Sequence, residues 1–454
     1  MSETQFPEFV TTYAEAERAL LSRWPETRLE PSLDRIAAFT ELLGEPQGTF
    51  PVIHLTGTNG KTSTSRMVDT LIRATELRTG RFTSPHVESM TERICLDGEP
   101  LTEEQFLEAY NDVAAIARLA DQEATHPLSF FEMVVGMAYA TFANAPVDLA
   151  VVEVGMGGAW DATNVADATV AAILPIAVDH SSYLGSRPVD IAGEKAGIIK
   201  PGSRVVCAAQ TDDVAEVVTQ RAAEVGSAAF WEGKDFGVSS RVPAVGGQML
   251  ALRGLRAEYG DVFLPLYGAH QAQNACVALA AVEAFLGEEP LDADLVRAAF
   301  ETVTSPGRLE VIRRSPTIVL DAAHNPHGAA AVVAALEDSF TFSPLIGVLG
   351  VMSDKDYEGM LSILEPAMAA IVCTRNNSPR SLRAEELAEV ARGIFGIDRV
   401  YVAPRLDDAI DRAATLAEEG GVFGEAIGSG GVLITGSVVT VGEARQMLKA
   451  KERA

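Results

Sequence analysis

The stretch that most constrains the fold is residues 56–62, whose sequence is TGTNGKT. The preceding run, PVIHL, is mostly apolar and β-branched, which predicts a buried strand. After the stretch, Met67, Leu71 and Ile72 have the spacing of one helix face. A strand, a glycine turn and a helix N-terminus direct several backbone N–H groups and the positive end of the helix dipole at one point. The sequence therefore predicts a phosphate-binding loop at residues 57–62, which we call the phosphate loop.

The residues at the end of this loop indicate a nucleoside triphosphate. The ammonium group of Lys61 suits β- and γ-phosphate oxygens, and the hydroxyls of Thr62 and Ser63 are candidate Mg²⁺ ligands. The loop is shorter than the strict motif, because Leu55 stands where that motif has its first glycine. The alternative is an ordinary tight turn with an exposed lysine, and the flanking strand and helix argue against it.

Length, charge and cysteine usage limit the class of protein. A chain of 454 residues exceeds one ordinary hydrophobic core, so we expect two domains. The formal net charge of −27 argues against a nucleic-acid partner or an acidic membrane, since both would repel it. The four cysteines lack paired spacing, and the N-terminus does not resemble a signal peptide. We therefore expect a cytoplasmic monomer with small-molecule substrates.

Further polar residues follow predicted strands, where ligands bind in open α/β sheets. Glu153 ends the apolar run 147–154 and stands where a Mg²⁺-holding acid is expected. Ser84 precedes a proline that favours an extended backbone, and His180 follows another predicted strand and is a metal-ligand candidate. In the second half of the chain, Arg308 is a candidate clamp for phosphoryl charge, and Asp321 ends a predicted strand.

The alternation of strands and helices predicts an α/β fold in two parts. We expect a domain at residues 1–304 with a mostly parallel sheet and a smaller domain at residues 305–454 with its own parallel sheet. Residues 305–308, SPGR, form the predicted linker. A helix starts at residues 129–132, SFFE, and its aromatic side chains belong either to the core or to a flat wall for a planar ligand.

A series of short motifs supports a more specific assignment. They are GTNGKT at 57–62, TSPH at 83–86, ERI at 92–94, EVGMGG at 153–158, DATN at 161–164, DH at 179–180, GEKAG at 193–197, HQ at 270–271, PGRLE at 306–310, DAAHNP at 321–326 and TGS at 435–437. In this order they resemble the folylpolyglutamate synthase/dihydrofolate synthase family of the Mur ligase superfamily. Thr62, with VVTV at 438–441, is similar to actinobacterial members.

The resemblance implies a fold and an activity. The fold is a P-loop-type Mur ligase central domain and a Rossmann-like C-terminal α/β domain. The activity is that of an ADP-forming ligase that joins L-glutamate to dihydropteroate or to the γ-carboxyl of folate. ATP, as co-substrate, first phosphorylates the carboxylate, and the glutamate amine then attacks the acyl phosphate.

The resemblance also implies roles for individual residues. The catalytic residues would be Lys61, His180, Lys195 and Arg308. ATP would be bound by Asn59, Gly60, Lys61, Thr62, Asn274, Arg308 and Asp321. Two Mg²⁺ ions would be held, one by Ser84 and Glu153, the other by His180 and a CO₂-derived carbamate on Lys195. The acceptor substrate would be bound by Ser129, Phe130, Phe131, Glu132, Trp160, Asp161 and Ala162.

One position departs from the family pattern. Arginine usually follows the double glycine, and here that position is Ala159, so a cation next to the active centre is lost. Two alternatives therefore stay open. The protein could be a Mur-type ligase for another carboxylate acceptor, or a non-catalytic nucleotide-binding relative of such a ligase.

Overall fold

The computed structural model describes residues 7–25, 30–419 and 430–453. The chain separates into two compact units. The first comprises Met1–Ser240, Leu250–Val262 and Gln273–Val303, and the second comprises Arg241–Met249, Phe263–Ala272 and Thr304–Ala454. Because two short earlier segments also belong to the second unit, the domain boundary at residue 304 stays a prediction.

The first unit is built on a sheet of mixed direction. Its strands, among the described residues, are β1 (Val52–Thr56), β2 (Thr79–Phe82), β3 (Ile94–Leu96), β4 (Glu99–Pro100), β5 (Leu149–Glu153), β6 (Val170–Ile173), β7 (Arg204–Cys207) and β8 (Ala228–Trp231). Their order is β4-β3-β2-β5-β1-β6-β7-β8. The strands from β2 to β8 in this order run parallel, and β3 and β4 add an antiparallel edge. Strands β1, β5 and β6 are buried along their whole length, as a parallel sheet with both faces covered requires.

The described residues up to 303 form ten α-helices, and some of them begin with a side-chain cap. They are α1 (Tyr13–Leu21), α2 (Asp34–Leu42), α3 (Lys61–Ala74), α4 (Glu103–Glu123), α5 (Phe130–Asn144), α6 (Ser181–Leu184), α7 (Pro188–Lys195), α8 (Asp212–Glu224), α9 (Ala269–Leu286) and α10 (Ala293–Glu301). Helices α4 and α5 each start with a capping box, formed by Thr102 with Gln105 and by Ser129 with Glu132. Before α9 the chain forms a small sheet of order β11-β10-β9, from β9 (Gly237–Ala244), β10 (Gly247–Arg253) and β11 (Glu258–Leu264).

The second unit is a smaller α/β structure. Its strands in the described part of the chain are β12 (Glu310–Arg314), β13 (Thr317–Leu320), β14 (Leu345–Leu349), β15 (Ala370–Cys373), β16 (Val400–Val402) and β17 (Gly431–Thr435). Their order is β12-β13-β17-β14-β15-β16, with β12 alone antiparallel to its neighbour within this sheet of described strands. The helices are α11 (Pro326–Ser339), α12 (Tyr357–Leu364), α13 (Ala384–Phe395), α14 (Leu406–Glu418) and α15 (Val438–Arg453).

Hydrophobic clusters pack against this second sheet. One contains Leu336, Leu361 and Leu387, and the other contains Ile410, Ala413 and Val441. In the ranges that the structure describes, no helix combines the length and the apolar character that a membrane crossing would need.

Candidate active site

The candidate residues of the first unit lie where neighbouring parallel strands end. In the sheet, Leu55 of β1 is paired with Glu153 of β5, and Thr56 of β1 with Ile173 of β6. Phe82 of β2 is paired with Val152. The segments that follow β1, β2, β5 and β6 therefore emerge side by side at the carboxyl edge. This is the edge at which α/β sheets bind ligands.

The phosphate loop turns sharply from β1 into α3. Gly60 has a φ of +89° and immediately precedes the first helical residue, Lys61. A Cβ atom at Gly60 would lie 2.5 Å from Oδ1 of Asn274 on α9, which shows how closely these two predicted nucleotide-binding residues approach. The Lys61 ammonium group bends back over the loop and donates to the carbonyl oxygens of Gly57 at 3.0 Å and Thr58 at 3.4 Å.

A hydroxyl and a carboxylate meet directly beside this loop. Thr62 Oγ1 donates to Glu153, with distances of 2.9 Å to Oε1 and 3.1 Å to Oε2, and Glu153 is buried. In the described ranges, no three His, Cys, Asp or Glu side chains form a group that could hold a metal. Mg²⁺ does not need such a group, because it binds through one or two carboxylates and completes its shell with water and substrate phosphates. The Thr62–Glu153 pair fits that requirement.

The other two predicted metal ligands follow neighbouring strands. Ser84 is buried two residues beyond the end of β2. His180 is half-buried, has a φ of +52° and donates its backbone N–H to Asp179 Oδ1 at 2.8 Å. Both residues are in segments that leave the carboxyl edge of the sheet. Their roles as ligands stay predictions.

Lys195 is a buried lysine at the end of α7. Its Nζ donates to the carbonyl oxygen of Gly57 at 3.0 Å, the same atom that accepts from Lys61. Burial, together with the nearby charge of Lys61, lowers the pKa of Lys195 to about 7. At pH 7 a much larger share of this amine is therefore neutral than of an ordinary lysine, which is almost entirely charged. Only a neutral amine can attack CO₂, so Lys195 is chemically suited to form a carbamate.

Residues 155–164, which we call the acid loop, follow β5 and include most of a short helical turn, Ala162–Val165. Glu194, next to Lys195, holds this loop. Its backbone carbonyl accepts from the N–H of Ala159 at 2.9 Å, and its Oε1 accepts from the N–H of Trp160 at 3.2 Å. Ala159 packs directly against Gly197. The position that carries arginine in the family pattern is thus occupied here by a small side chain in close contact with the segment after Lys195.

Asp161 organises the acid loop from within. Its Oδ1 accepts from the backbone N–H of Thr163 at 3.0 Å and also from the Thr163 hydroxyl, and its Oδ2 accepts from the N–H of Met156 at 2.9 Å. Burial raises the pKa of Asp161, and these hydrogen bonds oppose the rise. The predicted acceptor-binding residue Asp161 is therefore also an internal support of its loop.

The predicted aromatic wall divides into two parts. The Phe131 ring contacts Gly155 of the acid loop, and it packs edge-on against Phe82 with 5.8 Å between ring centroids. Phe130 is buried, and the guanidinium carbon of Arg93 lies 4.9 Å from its ring centroid. Phe131 is therefore the aromatic residue that the structure brings to the acid loop, while Phe130 packs into the hydrophobic core.

The remaining predicted acceptor-binding residues have structural contacts of their own. Ser129 caps α5, and the carboxylate of Glu132 completes this cap and forms an ion pair with Arg35, with Nε and Oε1 3.1 Å apart. Ala162 is buried at the start of the helical turn after Asp161.

The candidates of the second unit lie at the end of β13. Asp321 is buried, and its carboxylate accepts from the N–H of Leu309 at 2.9 Å and of Ala323 at 2.8 Å. Burial raises the pKa of Asp321, although the charge of Arg308 opposes this. Arg308, next to Leu309, donates from Nη1 to the Gly307 carbonyl at 3.3 Å. Asp321 thus fixes the loop that carries Arg308.

The sequence is similar to those of known ligases along almost its whole length. Residues 55–282 match the Mur ligase middle domain, and residues 307–438 match the Mur ligase glutamate ligase domain. The chain is 48% identical to the dihydrofolate synthase/folylpolyglutamate synthase of Mycobacterium tuberculosis, covering 97% of this chain and 95% of the relative. This chain belongs to the dihydrofolate synthase/folylpolyglutamate synthase family. It is also 30% identical to the Bacillus subtilis enzyme of the same name, covering 93% of this chain and 96% of the relative.

Solved structures of this family have the same fold. The Mycobacterium tuberculosis folylpolyglutamate synthase complexed with ADP matches with a TM-score of 0.93 and 49% identity, covering 96% of this chain and 98% of that one. Escherichia coli FolC in complex with DHPP and ADP matches with a TM-score of 0.85 and 26% identity, covering 98% of this chain and 100% of that one. The predicted fold class and the prediction of a Mur-type ligase are confirmed.

Proposed function

We propose that this protein is an ATP-dependent ligase that joins L-glutamate to dihydropteroate and to the γ-carboxyl of folates, with release of ADP and phosphate. The observation that carries the proposal is the bond between Thr62 and Glu153 beside the phosphate loop, because it pairs a loop hydroxyl with a strand-end acid. The names of the close relatives and the ADP complex of the Mycobacterium tuberculosis enzyme support the same activity. A cytoplasmic location and a monomeric state belong to the proposal as well.

Several residues of the first unit contribute to activation of the carboxylate. A carboxylate is a poor electrophile, and transfer of the terminal phosphoryl group converts it into an acyl phosphate with a good leaving group. The N–H groups of residues 59–62 and the Lys61 ammonium group hold the triphosphate. Thr62 and Glu153, with Ser84, would hold one Mg²⁺. When bound, this ion neutralises phosphoryl charge.

The amine of glutamate then attacks the acyl phosphate. The carbonyl oxygen becomes negatively charged in the tetrahedral intermediate, and nearby cations stabilise it. The C–O bond to phosphate breaks, the amide forms, and the amine proton is lost. In this proposal Arg308 binds phosphoryl oxygens, and Asn274 and Asp321 contact ATP.

Lys195 contributes to the proposed site as a carbamate. Its neutral amine attacks CO₂, forms an N–C bond and loses a proton, so that a cation is replaced by an anionic oxygen ligand. With His180, this group would hold a second Mg²⁺. The pKa of about 7 and the burial of Lys195 support this step, because they supply a neutral amine and disfavour an ammonium group there.

The acid loop and α5 provide the proposed wall for the pteridine ring. Phe131 contacts Gly155, and Trp160 packs near Gly157, so aromatic surfaces border the loop. Asp161 and Ala162 would complete the wall, with Ser129, Phe130 and Glu132 supporting it from α5. A flat aromatic surface suits a planar ligand.

A coupled assay for ADP release tests the proposal. We expect glutamate-dependent ADP formation with dihydropteroate and, separately, with tetrahydrofolate, and none without glutamate. Thr62→Val keeps the side-chain volume but removes the bond to Glu153, and it should lower turnover strongly. The matched control is Thr70→Val, later on the same helix, because the Thr70 hydroxyl donates to the Arg66 carbonyl at 2.9 Å within that helix. Absence of turnover with both acceptors would contradict the proposal, and turnover with a different carboxylate would favour another Mur-type ligase.

A further inference from the structure

Two buried polar side chains of β1 fasten the acid loop to the strand that leads into the phosphate loop. His54 and Thr56 are fully buried and lie two residues apart, so they point to the same face of the sheet. Thr56 Oγ1 donates to the Gly157 carbonyl at 2.8 Å, and His54 Nε2 lies 2.9 Å from Thr163 Oγ1. The central strand of the site thus holds both ends of the acid loop.

The hydrogen bonds through Thr163 have a defined direction. The Thr163 hydroxyl has one proton and donates it to the Asp161 carboxylate, which can only accept when ionised. Thr163 Oγ1 must therefore accept its bond from His54, so the proton of the imidazole is on Nε2. Nδ1 then has no proton, and within the described structure it has no hydrogen-bond partner. We call the series His54–Thr163–Asp161 the relay.

The surroundings of His54 keep its ring uncharged and hold Thr163 in place. Burial, together with the charge of Lys200, lowers the pKa of His54 to about 3, so the ring is uncharged at physiological pH. On the other side, the Tyr139 hydroxyl of α5 donates to the Thr163 carbonyl at 2.6 Å. Thr163 is thus held by β1 through its side chain and by α5 through its backbone.

We propose that His54 is a positioning residue that acts through Thr163 on Asp161. It keeps the acid loop in the form that receives the acceptor substrate, at a fixed distance from the phosphate loop. This inference rests on the proposed function, because the acid loop is the proposed acceptor wall. The physical reason is that Thr56 ends β1 and Gly57 begins the phosphate loop, so one rigid strand carries both sites. Transfer between two bound groups depends steeply on such spacing.

Steady-state kinetics with matched variants test the relay. His54→Leu and Thr163→Val remove its hydrogen bonds and should raise KM for dihydropteroate about tenfold, as the loss of one buried bond implies, with KM for ATP changed less than about twofold. His54→Gln and Thr163→Ser keep a donor and a hydroxyl and should retain most of the wild-type KM. The double variant His54→Leu/Thr163→Val should be little worse than either single one, because both break the same series.

Thr40→Val is the control for loss of a buried threonine hydroxyl. Thr40 lies on α2 and donates to the Ile36 carbonyl at 3.0 Å, within its own helix. It should lower thermal stability without changing KM for dihydropteroate. If His54→Leu and Thr163→Val behave like Thr40→Val, His54 is only a structural residue and the proposal is wrong.

A spectroscopic measurement tests the relay without turnover. In ¹⁵N-histidine-labelled protein, the His54 signals should show a neutral ring with the proton on Nε2 and no titration between pH 5 and 8. A proton on Nδ1, or titration in that range, would overturn the proposal even in an active enzyme. If the wild type is inactive but shows the expected His54 signals, the proposed function is refuted while the hydrogen-bond geometry is confirmed. Failure of the proposed function can thus be told apart from failure of the His54 proposal.

Discussion

Replacing Gly60 with alanine tests the phosphate loop at its tightest point. The φ of +89° is unfavourable for any residue with a Cβ, at a cost of about 1–2 kcal/mol. The new Cβ would also lie 2.5 Å from Asn274 Oδ1, closer than nonbonded atoms approach each other. Either the loop or Asn274 must move, and both are proposed to bind ATP. We expect the free energy of unfolding to fall by about 1–2 kcal/mol and the affinity for ADP to fall at least about tenfold, which corresponds to about 1.4 kcal/mol.

Isothermal titration with ADP and Mg²⁺ measures the affinity, and urea unfolding measures the stability. Gly202→Ala is the matched control, because Gly202 has a φ of +84° and a Cβ placed there would meet no atom within 4 Å. It should show the same loss of stability with unchanged affinity for ADP. The comparison separates backbone strain from displacement of the nucleotide-binding residues.

A double variant isolates the contact with Asn274. Asn274→Ala removes the side chain that a Cβ at residue 60 would meet, so Gly60→Ala should cost less affinity in that background than in the wild type. A coupling free energy of at least about 0.5 kcal/mol is expected for residues in direct contact. Wild-type affinity in Gly60→Ala, or an equal loss in Gly202→Ala, would refute the reasoning.

Three further variants test individual roles. Lys61→Ala should abolish turnover and leave the circular dichroism spectrum unchanged; a near-normal rate would contradict its assignment to the phosphates. Lys195→Ala should lose turnover and partly recover it with small carboxylates. In the wild type, activation by bicarbonate should increase as pH rises through about 7, because the lowered pKa of Lys195 makes its amine neutral above that pH rather than near 10.5. Asp321→Asn replaces an accepting oxygen by a donor facing an N–H, and urea unfolding should show a loss of about 1–3 kcal/mol.

Apolar runs are sufficient to predict most strands of both sheets. Buried parallel strands such as β6 and β15 have continuous hydrophobic sequences, and such runs predict buried strands. Strand β2 is not predicted in this way, because its sequence TGRF contains a glycine and the buried Arg81. The edge strand β12, with the sequence EVIRR, is not predicted in this way either. In β2 the buried Arg81 is paired with Asp69, and the residues of β12 are only partly buried. Neither strand therefore needs a continuous apolar sequence.

Carboxylates show the limit of sequence reasoning at the site. Glu132, Asp161 and Asp321 are predicted as ligand contacts, and the structure engages each in hydrogen bonds within the protein. The spacing of Ser129 and Glu132 is that of a capping box, so this use is visible in the sequence. The bonds of Asp161 stay within its own loop, to Met156 and Thr163, and depend on how that loop folds back on itself. Asp321 accepts from Leu309, twelve residues away, and only the tertiary structure brings these two together.

His54 is absent from the residues that the motifs indicate, although it carries a signal. A histidine within a continuous apolar strand must satisfy its donor inside the protein, since burying an unpaired polar group costs about 1–3 kcal/mol. Such a residue therefore predicts a nearby acceptor on a neighbouring element. Here that acceptor is Thr163, two residues from Asp161. A polar residue within an apolar strand that leads into a phosphate loop is therefore a signal, visible in the sequence, of a side-chain hydrogen bond to a neighbouring element.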